Sequence, residues 1–229
     1  MSNVYLPLVS VPSSVVPFGW ALYGGKMTQA QKHDAMKRGE RMLNWYASES
    51  WIKYPSFMPY LRGKEWVVPT QEVKRLAREY PGRTWCLWNE PDLPTQDWTE
   101  PEKAVDLTLE WIEAIGDNGR VAGYGININR SMGWARWLDR MMEIGGPIPW
   151  AWHVHIYADN AVEWHKMYEL WQSWNDSNGS LPTIISEAGG NLLENNSTSG
   201  WKSVYHFLRQ FSDTRVLGVY YYTDIILED

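Results

Sequence analysis

The sequence contains a single cysteine and only four phenylalanines. One cysteine, Cys86, cannot form an internal disulfide bond or supply a cysteine-based metal cluster, and its apolar neighbours predict a buried strand residue. No apolar run approaches the roughly 20 residues of a membrane span, and no basic segment followed by an apolar run marks a signal peptide. We expect no membrane association. The compartment is left open, with secretion favoured if a signal peptide has been removed and the cytoplasm favoured otherwise.

Clusters of basic residues and cofactor motifs are also missing. The chain has 21 Lys and Arg against 27 Asp and Glu, a net charge of -6 that is spread along its length. Without a basic cluster to neutralise phosphates, nucleic acid is not an expected partner. No G-x-G-x-x-G turn follows the first predicted strand, and no H-E-x-x-H occurs. We therefore expect no cofactor and no metal.

Tryptophan and tyrosine are abundant, with 16 and 13 copies. Their rings combine a large apolar body with a polar group, which suits half-wet surfaces better than a dry core. Broad indole faces can stack on the apolar C–H faces of sugar rings, although packing in the core is the alternative for each of them. The stacking candidates lie at or just beyond predicted strand ends: Trp20, Trp45, Trp88, Trp98 and Trp134.

Short β-rich runs alternate with helical patterns along the whole chain, which is typical of βαβ units and a parallel sheet. The predicted strands are 16–23, 42–48, 57–62, 83–89, 120–126, 152–157, 183–187 and 216–223. The predicted helices are 28–38, 70–80, 101–115, 132–144, 162–174 and 200–211. Eight strands predict the α/β class and a single compact (β/α)8 TIM barrel over 1–229, with one or two helices short or missing. An open doubly wound sheet is the alternative fold.

Two glutamates follow predicted strands at the end where β/α barrels carry their active sites. Glu90 lies in the segment WNEP after strand four, and Glu187 lies in SEAG at the end of strand seven. Glycoside cleavage uses one carboxylic acid to protonate the leaving oxygen and a second carboxylate to attack or to activate water. A structural role for each glutamate, at a helix N-terminus or beside an arginine, is the alternative.

The order of these motifs resembles that of clan A of the retaining glycoside hydrolases: NEP after strand four, H-x-Y on strand six and SEAG on strand seven. The similarity is greatest to the small endo-β-1,3-glucanases of family 128, while β-mannanases, xylosidases and cellulases of the clan share most of these residues. The resemblance implies that Glu90 is the acid/base and Glu187 the nucleophile. It also implies that Asn89 binds the sugar 2-hydroxyl in the −1 subsite, that Tyr157 donates to the nucleophile, and that His155 lines that subsite.

The chain departs from the clan in one respect, because 45–51 contains no arginine where many members have one that positions the nucleophile. Asp92, Asp97, Asp224 and Tyr222 are further candidates for contact with sugar, and loop aspartates can instead cap a helix. His153 and His155 share one face of a strand and could instead bind a metal.

We expect from these motifs a monomeric, retaining endo-β-glycanase of oligo- or polysaccharides, with about 5 to 5.5 Å between its two carboxyl groups. β-1,3-Glucan is the favoured substrate, and β-mannan, xylan and β-1,4-glucan are alternatives. A non-catalytic carbohydrate-binding barrel and a metal-dependent hydrolase are the rival functions.

Overall fold

The computed structural model describes residues 16–21, 41–43, 47, 49–189 and 198–222. These residues contain nine parallel strands in one sheet, in the order β3-β2-β1-β9-β8-β7-β6-β5-β4. The strands are β1 Phe18–Ala21, β2 Arg41–Leu43, β3 Phe57–Met58, β4 Tyr60–Leu61, β5 Arg83–Leu87, β6 Gly119–Ile128, β7 Ala151–Tyr157, β8 Thr183–Gly189 and β9 Val216–Tyr222.

The two ends of this sheet meet at Pro59. β3 pairs with β2 and β4 pairs with β5, and only Pro59 separates β3 from β4 in the chain. Proline has no N–H to donate to a strand ladder, so Pro59 divides one strand of the barrel into the two short strands β3 and β4. The Pro59 carbonyl still accepts a hydrogen bond of 2.9 Å from the Cys86 N–H. The sheet is thus closed, and the predicted eight-stranded barrel is confirmed.

Helices follow most of the strands and cover the outside of the barrel. They are α1 Glu49–Ile52, α2 Thr70–Glu79, α3 Pro101–Ile115, α4 Gly133–Glu143, α5 Ala161–Ser177 and α6 Thr198–Gln210, with 3-10 turns at Lys64–Trp66 and Gly116–Asn118. The four-residue α1 is the short connection expected between strands two and three. The predicted helix 28–38 lies outside the described residues. Within the described part of the chain, no helix is long and apolar enough to cross a bilayer.

Apolar residues form two layers, as alternation along each strand requires. A small inner layer fills the barrel with Ala21, Leu43, Met58, Tyr60, Cys86, Ala122, Ala151, Ile184 and Tyr220. A larger layer lies between the sheet and the helices and contains most of the buried tryptophans. Several indole N–H groups donate there to strand ends, as Trp164 does to the Ile156 carbonyl (3.0 Å) and Trp171 to the Thr183 hydroxyl (3.1 Å). Most described tryptophans are therefore packing residues.

Candidate active site

Glu90 is placed by a tight turn after β5. Trp88 and Glu90 both have left-handed backbone conformations, with φ of 70° and 52°. The Glu90 N–H donates to the Gly125 carbonyl at 2.7 Å, which ties the turn to β6. Gly125 has φ of +59°, and a Cβ there would overlap the Trp88 carbonyl oxygen. Glycine at this position is what lets β6 approach closely enough to hold the turn.

Glu187 is placed by an irregularity in the pairing of β7 with β8. Val154 pairs with Ile185, but the next residue of β7, His155, pairs with Glu187, so Ser186 is an extra residue in β8. Such a bulge re-aims the side chains that follow it. It brings Glu187 opposite His155, where both side chains are buried, at 4% and 0% exposure.

His155 connects the two glutamates. Its Nδ1 lies 3.0 Å from Oε1 of Glu90, and its Nε2 lies 3.3 Å from Oε1 of Glu187 and 3.0 Å from the Tyr60 hydroxyl. Burial lowers the pKa of His155, but the charges of Glu187 and Glu90 outweigh it, so the pKa is raised overall. A protonated imidazole donates from Nδ1 to Glu90, and on its other side its charge faces Glu187 beside the Tyr60 hydroxyl.

Two more donors contact the carboxylates. The Asn127 amide donates to Oε1 of Glu90 at 2.6 Å, and the Tyr157 hydroxyl donates to Oε2 of Glu187. Burial, followed by the charge of Glu187, raises the pKa of Tyr157 well above its usual range, so its hydroxyl keeps its proton and stays a donor. The contact between Tyr157 and Glu187 is the one that the sequence resemblance implied.

Asn127 and Tyr60 contact the site but were not among the candidates read from the sequence. The predicted fifth strand ends at 126, whereas β6 continues to Ile128 and carries Asn127 at its carboxyl end. Tyr60 lies within the predicted third strand and belongs to the inner layer of the barrel. Extending the rule of polar residues at strand ends to every strand would have found Asn127.

Asn89 lies against the site with spare hydrogen-bonding capacity. It is 4% exposed, and its Nδ2 donates to Oε1 of Gln96 at 3.3 Å. Its Oδ1 is buried and accepts no hydrogen bond from the described residues. An amide oxygen can accept two hydrogen bonds. A ligand hydroxyl that donates to Asn89 Oδ1 would therefore give this buried acceptor a partner and offset the cost of leaving it unsatisfied.

Asp92 lies beside Glu90 in the same loop. Its Oδ1 is 3.5 Å from the Asn127 N–H, at the limit of a hydrogen bond. Burial raises the pKa of Asp92 to about 7, and the neighbouring charge of Glu90 adds to the effect. A substantial fraction of Asp92 is therefore protonated at neutral pH, when it can donate as well as accept.

Trp88 and Trp134 do not reach the cleft. Trp88 is 1% exposed, donates from Nε1 to the Thr108 hydroxyl at 2.8 Å, and packs against Trp111 with 5.2 Å between ring centroids. Trp134 is fully buried and donates to the Asn129 carbonyl. A buried ring in the layer between sheet and helices cannot stack on a sugar, so stacking is wrong for both, and the packing alternative holds.

The remaining candidates have different positions. Tyr222 is half-buried with its ring edge-on to Tyr157, 5.8 Å between centroids, so it is brought to the site. Asp97 is held by Arg62 in a bidentate pair of 3.2 and 2.8 Å, which makes it a structural residue rather than a sugar ligand. Trp20 is described only in its backbone, as part of β1, and Trp45 and Asp224 lie outside the described residues.

His153 is also structural. Its Nε2 donates to the Leu87 carbonyl at 2.6 Å, and its Nδ1 accepts from the Ser186 hydroxyl at 2.9 Å. Burial and the neighbouring His155 lower the pKa of His153 to about 3, so the ring is neutral. Both ring nitrogens are occupied by protein, which leaves no lone pair for a metal. The residues described contain no group of three or more His, Cys, Asp and Glu arranged to hold a metal ion.

Comparison with solved structures identifies the same fold in glycoside hydrolases of family 128. A subgroup I endo-β-1,3-glucanase from Amycolatopsis mediterranei, in complex with laminaripentaose, has a TM-score of 0.67 at 18% identity, covering 90% of this chain and 88% of that chain. A subgroup VI exo-β-1,3-glucanase from Aureobasidium namibiae has a TM-score of 0.68 at 16% identity, covering 94% and 86%.

Structures of the Amycolatopsis enzyme were solved with alanine at one or the other of two glutamates. These two glutamates are separated by the same number of residues as Glu90 and Glu187. No protein-family profile and no curated protein sequence matches the chain. The matches to solved structures show that the described chain has the barrel fold of the family 128 enzymes.

Proposed function

We propose that this protein is a retaining glycoside hydrolase that cleaves internal bonds of β-1,3-glucan. The observation that carries the proposal is that two buried glutamates, Glu90 just after β5 and Glu187 within β8, contact opposite sides of one imidazole. The equal spacing of the two substituted glutamates in the Amycolatopsis enzyme supports the same pair.

The reaction takes two steps. Glu187 attacks the anomeric carbon while Glu90 protonates the departing glycosidic oxygen, which gives a covalent glycosyl-enzyme. Glu90 then removes a proton from water, and the water displaces Glu187. This mechanism predicts about 5 to 5.5 Å between the carboxyl groups.

The surrounding residues would divide the two roles between the glutamates. Both His155 and Asn127 contact Oε1 of Glu90, which fixes the carboxyl plane and leaves Oε2 as the oxygen we assign to proton transfer. Tyr157 and His155 hold the two oxygens of Glu187, so the nucleophile is oriented before substrate arrives. Held geometry of this kind lowers the entropic part of the barrier. These contacts would replace the arginine missing from 45–51.

The choice of β-1,3-glucan rests on the fold neighbours, several of which were solved with laminari-oligosaccharides. Fold likeness alone is a weak guide to substrate, because one fold supports many activities. The Asn89 Oδ1 atom, buried and without a partner among the described residues, favours a ligand that offers a hydroxyl at this point. A neutral glucan offers such hydroxyls on every ring.

The test is a hydrolysis screen against oligomers of β-1,3-glucan, β-mannan, xylan and cellulose, with NMR of the anomer released first. We expect cleavage of the β-1,3-glucan, the β-anomer as first product, and no loss with a chelator. Glu187→Ala should abolish hydrolysis, while Glu113→Ala on the exposed side of α3 should not. An α-anomer would contradict retention. Binding of the glucan without cleavage would support the carbohydrate-binding alternative instead.

A further inference from the structure

Two tryptophans are exposed at the end of the barrel that carries Glu90. Trp66 is 48% exposed and Trp98 is 40% exposed, whereas most described tryptophans are buried. Trp66 ends the 3-10 turn that follows β4, and Trp98 lies in the loop that follows β5. Both loops leave the carboxyl ends of neighbouring strands, so they lie at the end of the barrel that carries the proposed active site.

A buried ion pair joins the two loops. Asp97, 2% exposed, accepts two hydrogen bonds from Arg62 and a third, of 3.0 Å, from the Gly63 N–H. The Arg62 guanidinium also lies 5.5 Å above the Trp66 ring, within the range of a cation–π contact. A buried carboxylate with three donors keeps one geometry, so the loops that carry the tryptophans are held in place without a ligand.

The same loops touch the residue expected to bind the reacting sugar. The Asp97 N–H donates to the Asn89 carbonyl at 3.3 Å, and the Gln96 side chain accepts from the Asn89 amide. Asn89 immediately precedes Glu90 in the chain. The segment that carries Trp98 therefore begins beside the catalytic carboxyl group and runs outward from it.

We propose that Trp66 and Trp98 form a sugar-binding platform for glucan units beyond the one held between Glu90 and Glu187. This inference rests on the proposed function, since it takes the same chain as ligand. Exposed indole faces stack on the apolar C–H faces of pyranose rings, and the indole N–H can donate to a hydroxyl. Because the Arg62 charge is already neutralised by Asp97, the platform suits a neutral glucan rather than an acidic polysaccharide.

Trp150 provides a matched control at the other end of the barrel. It is 38% exposed, and the Arg120 guanidinium lies 4.7 Å above its ring, an arrangement close to that of Trp66 with Arg62. Trp150 precedes β7 and thus lies at the amino end of the strands, away from the site. Exposure and an arginine contact are common to both tryptophans, and position alone distinguishes them.

The experiment measures affinity by calorimetry in a Glu187→Gln background, which blocks turnover, with laminaritriose and laminarihexaose as probes. Joint replacement Trp66→Ala and Trp98→Ala should weaken hexaose binding by about tenfold or more, and triose binding by much less. Trp150→Ala should leave both affinities unchanged. Trp98→Ala alone, which leaves the Arg62 contact intact, should give part of the loss, and Trp98→Tyr should restore most of it.

Equal hexaose affinity in the joint variant and in its parent would overturn the platform, as would equal losses for triose and hexaose. Thermal unfolding of each variant identifies a loss of affinity that comes from a damaged fold. If the joint variant is damaged, the hexaose affinity of Trp98→Ala alone tests the platform. If the unsubstituted protein neither binds nor cleaves any of these glucans, the proposed function fails and the platform fails with it. If it cleaves them and the variants bind normally, only the platform is wrong.

Discussion

His155 on β7 is the register partner of Glu187 on β8, because one extra residue, Ser186, interrupts the pairing of the two strands. In a regular ladder, Ser186 would lie opposite His155, and Glu187 would be directed to the other face of the sheet. The contact between His155 and Glu187 therefore depends on a local backbone irregularity. The same imidazole contacts Glu90, so this irregularity also sets the relation between the two glutamates.

Glu90→Gln should separate the two steps of the proposed reaction. A glutamine cannot protonate the leaving oxygen, and general acid catalysis contributes about 10²- to 10⁴-fold, so glucan hydrolysis should fall by that factor. An aryl glucoside with an acidic phenol needs no such help, and its first step should be nearly unaffected. Steady-state and burst kinetics on both substrates measure this. Equal losses on the two would contradict the acid role of Glu90.

Gly125→Ala should impair activity more than a simple backbone effect predicts. A left-handed conformation costs a residue other than glycine about 1 to 2 kcal/mol, and a Cβ at 125 also overlaps the Trp88 carbonyl in the turn before Glu90. We expect kcat/KM to fall by about a hundredfold or more through misplacement of Glu90. Gly145→Ala is the control, because Gly145 has φ of +77° with nothing within 4 Å of the added Cβ. The Gly145→Ala variant should lose stability and keep its kcat/KM.

His155 should stabilise the fold in a pH-dependent way. Its pKa is raised in the folded state, so its contribution is complete below its ordinary pKa of about 6.5 and is lost as the pH rises through the folded-state value. The groups around it are Glu90, Glu187, Asp92 and Tyr60. His155→Gln should therefore lower the unfolding temperature more at about pH 6 than at about pH 9.

A matched replacement of a surface histidine isolates that effect. His165→Gln changes an exposed side chain on α5, and should have a small effect at both pH values. If His155→Gln destabilises the protein equally at both pH values, then the imidazole is not held as a cation between the two carboxylates.

Asp92→Asn should have the opposite pH dependence. The pKa of Asp92 is raised to about 7, so keeping it ionised in the fold has a cost that is absent below about pH 4 and complete above about pH 7. The amide removes that cost and should raise the free energy of unfolding by about 1 to 2 kcal/mol at pH 8, with little change at pH 4. Urea unfolding at the two pH values measures this, with the exposed Asp106→Asn on α3 as control. Destabilisation of Asp92→Asn at pH 8 would contradict it.

The barrel could be predicted because its signals are local. The apolar run of β7 and the apolar stripe on α2, formed by Val73, Leu76 and Ala77, predict buried faces directly. The alternation of strands and helices along the chain then predicts the barrel. The division of strand three was not foreseen, since Pro59 lies inside a run that otherwise reads as one strand. The bulges at Gly125 and at Ser186 were not foreseen either, because the pairing of strands far apart in the sequence determines them.

The tryptophans show where sequence reasoning is weakest. The sequence pattern around a Trp at a strand end is the same whether its ring faces the cleft or the helices. Trp88 has a left-handed backbone conformation, and its ring packs against Trp111. Trp66 is not among the stacking candidates that the sequence predicts. What separates Trp66 and Trp98 from the others is exposure, which depends on the packing of whole loops.

The reactivity of Cys86 reports whether the strands of the barrel are closed or separated. The only thiol of the chain is fully buried in the inner layer beside Tyr60, its register partner, and burial, with the charge of Glu187, raises its pKa. A thiolate is the reactive form of cysteine, so a labelling reagent should modify Cys86 only when the strands separate. The rate of labelling then measures the opening of the barrel without any engineered probe. For the same reason, disulfide-linked dimers can come only from molecules that have unfolded.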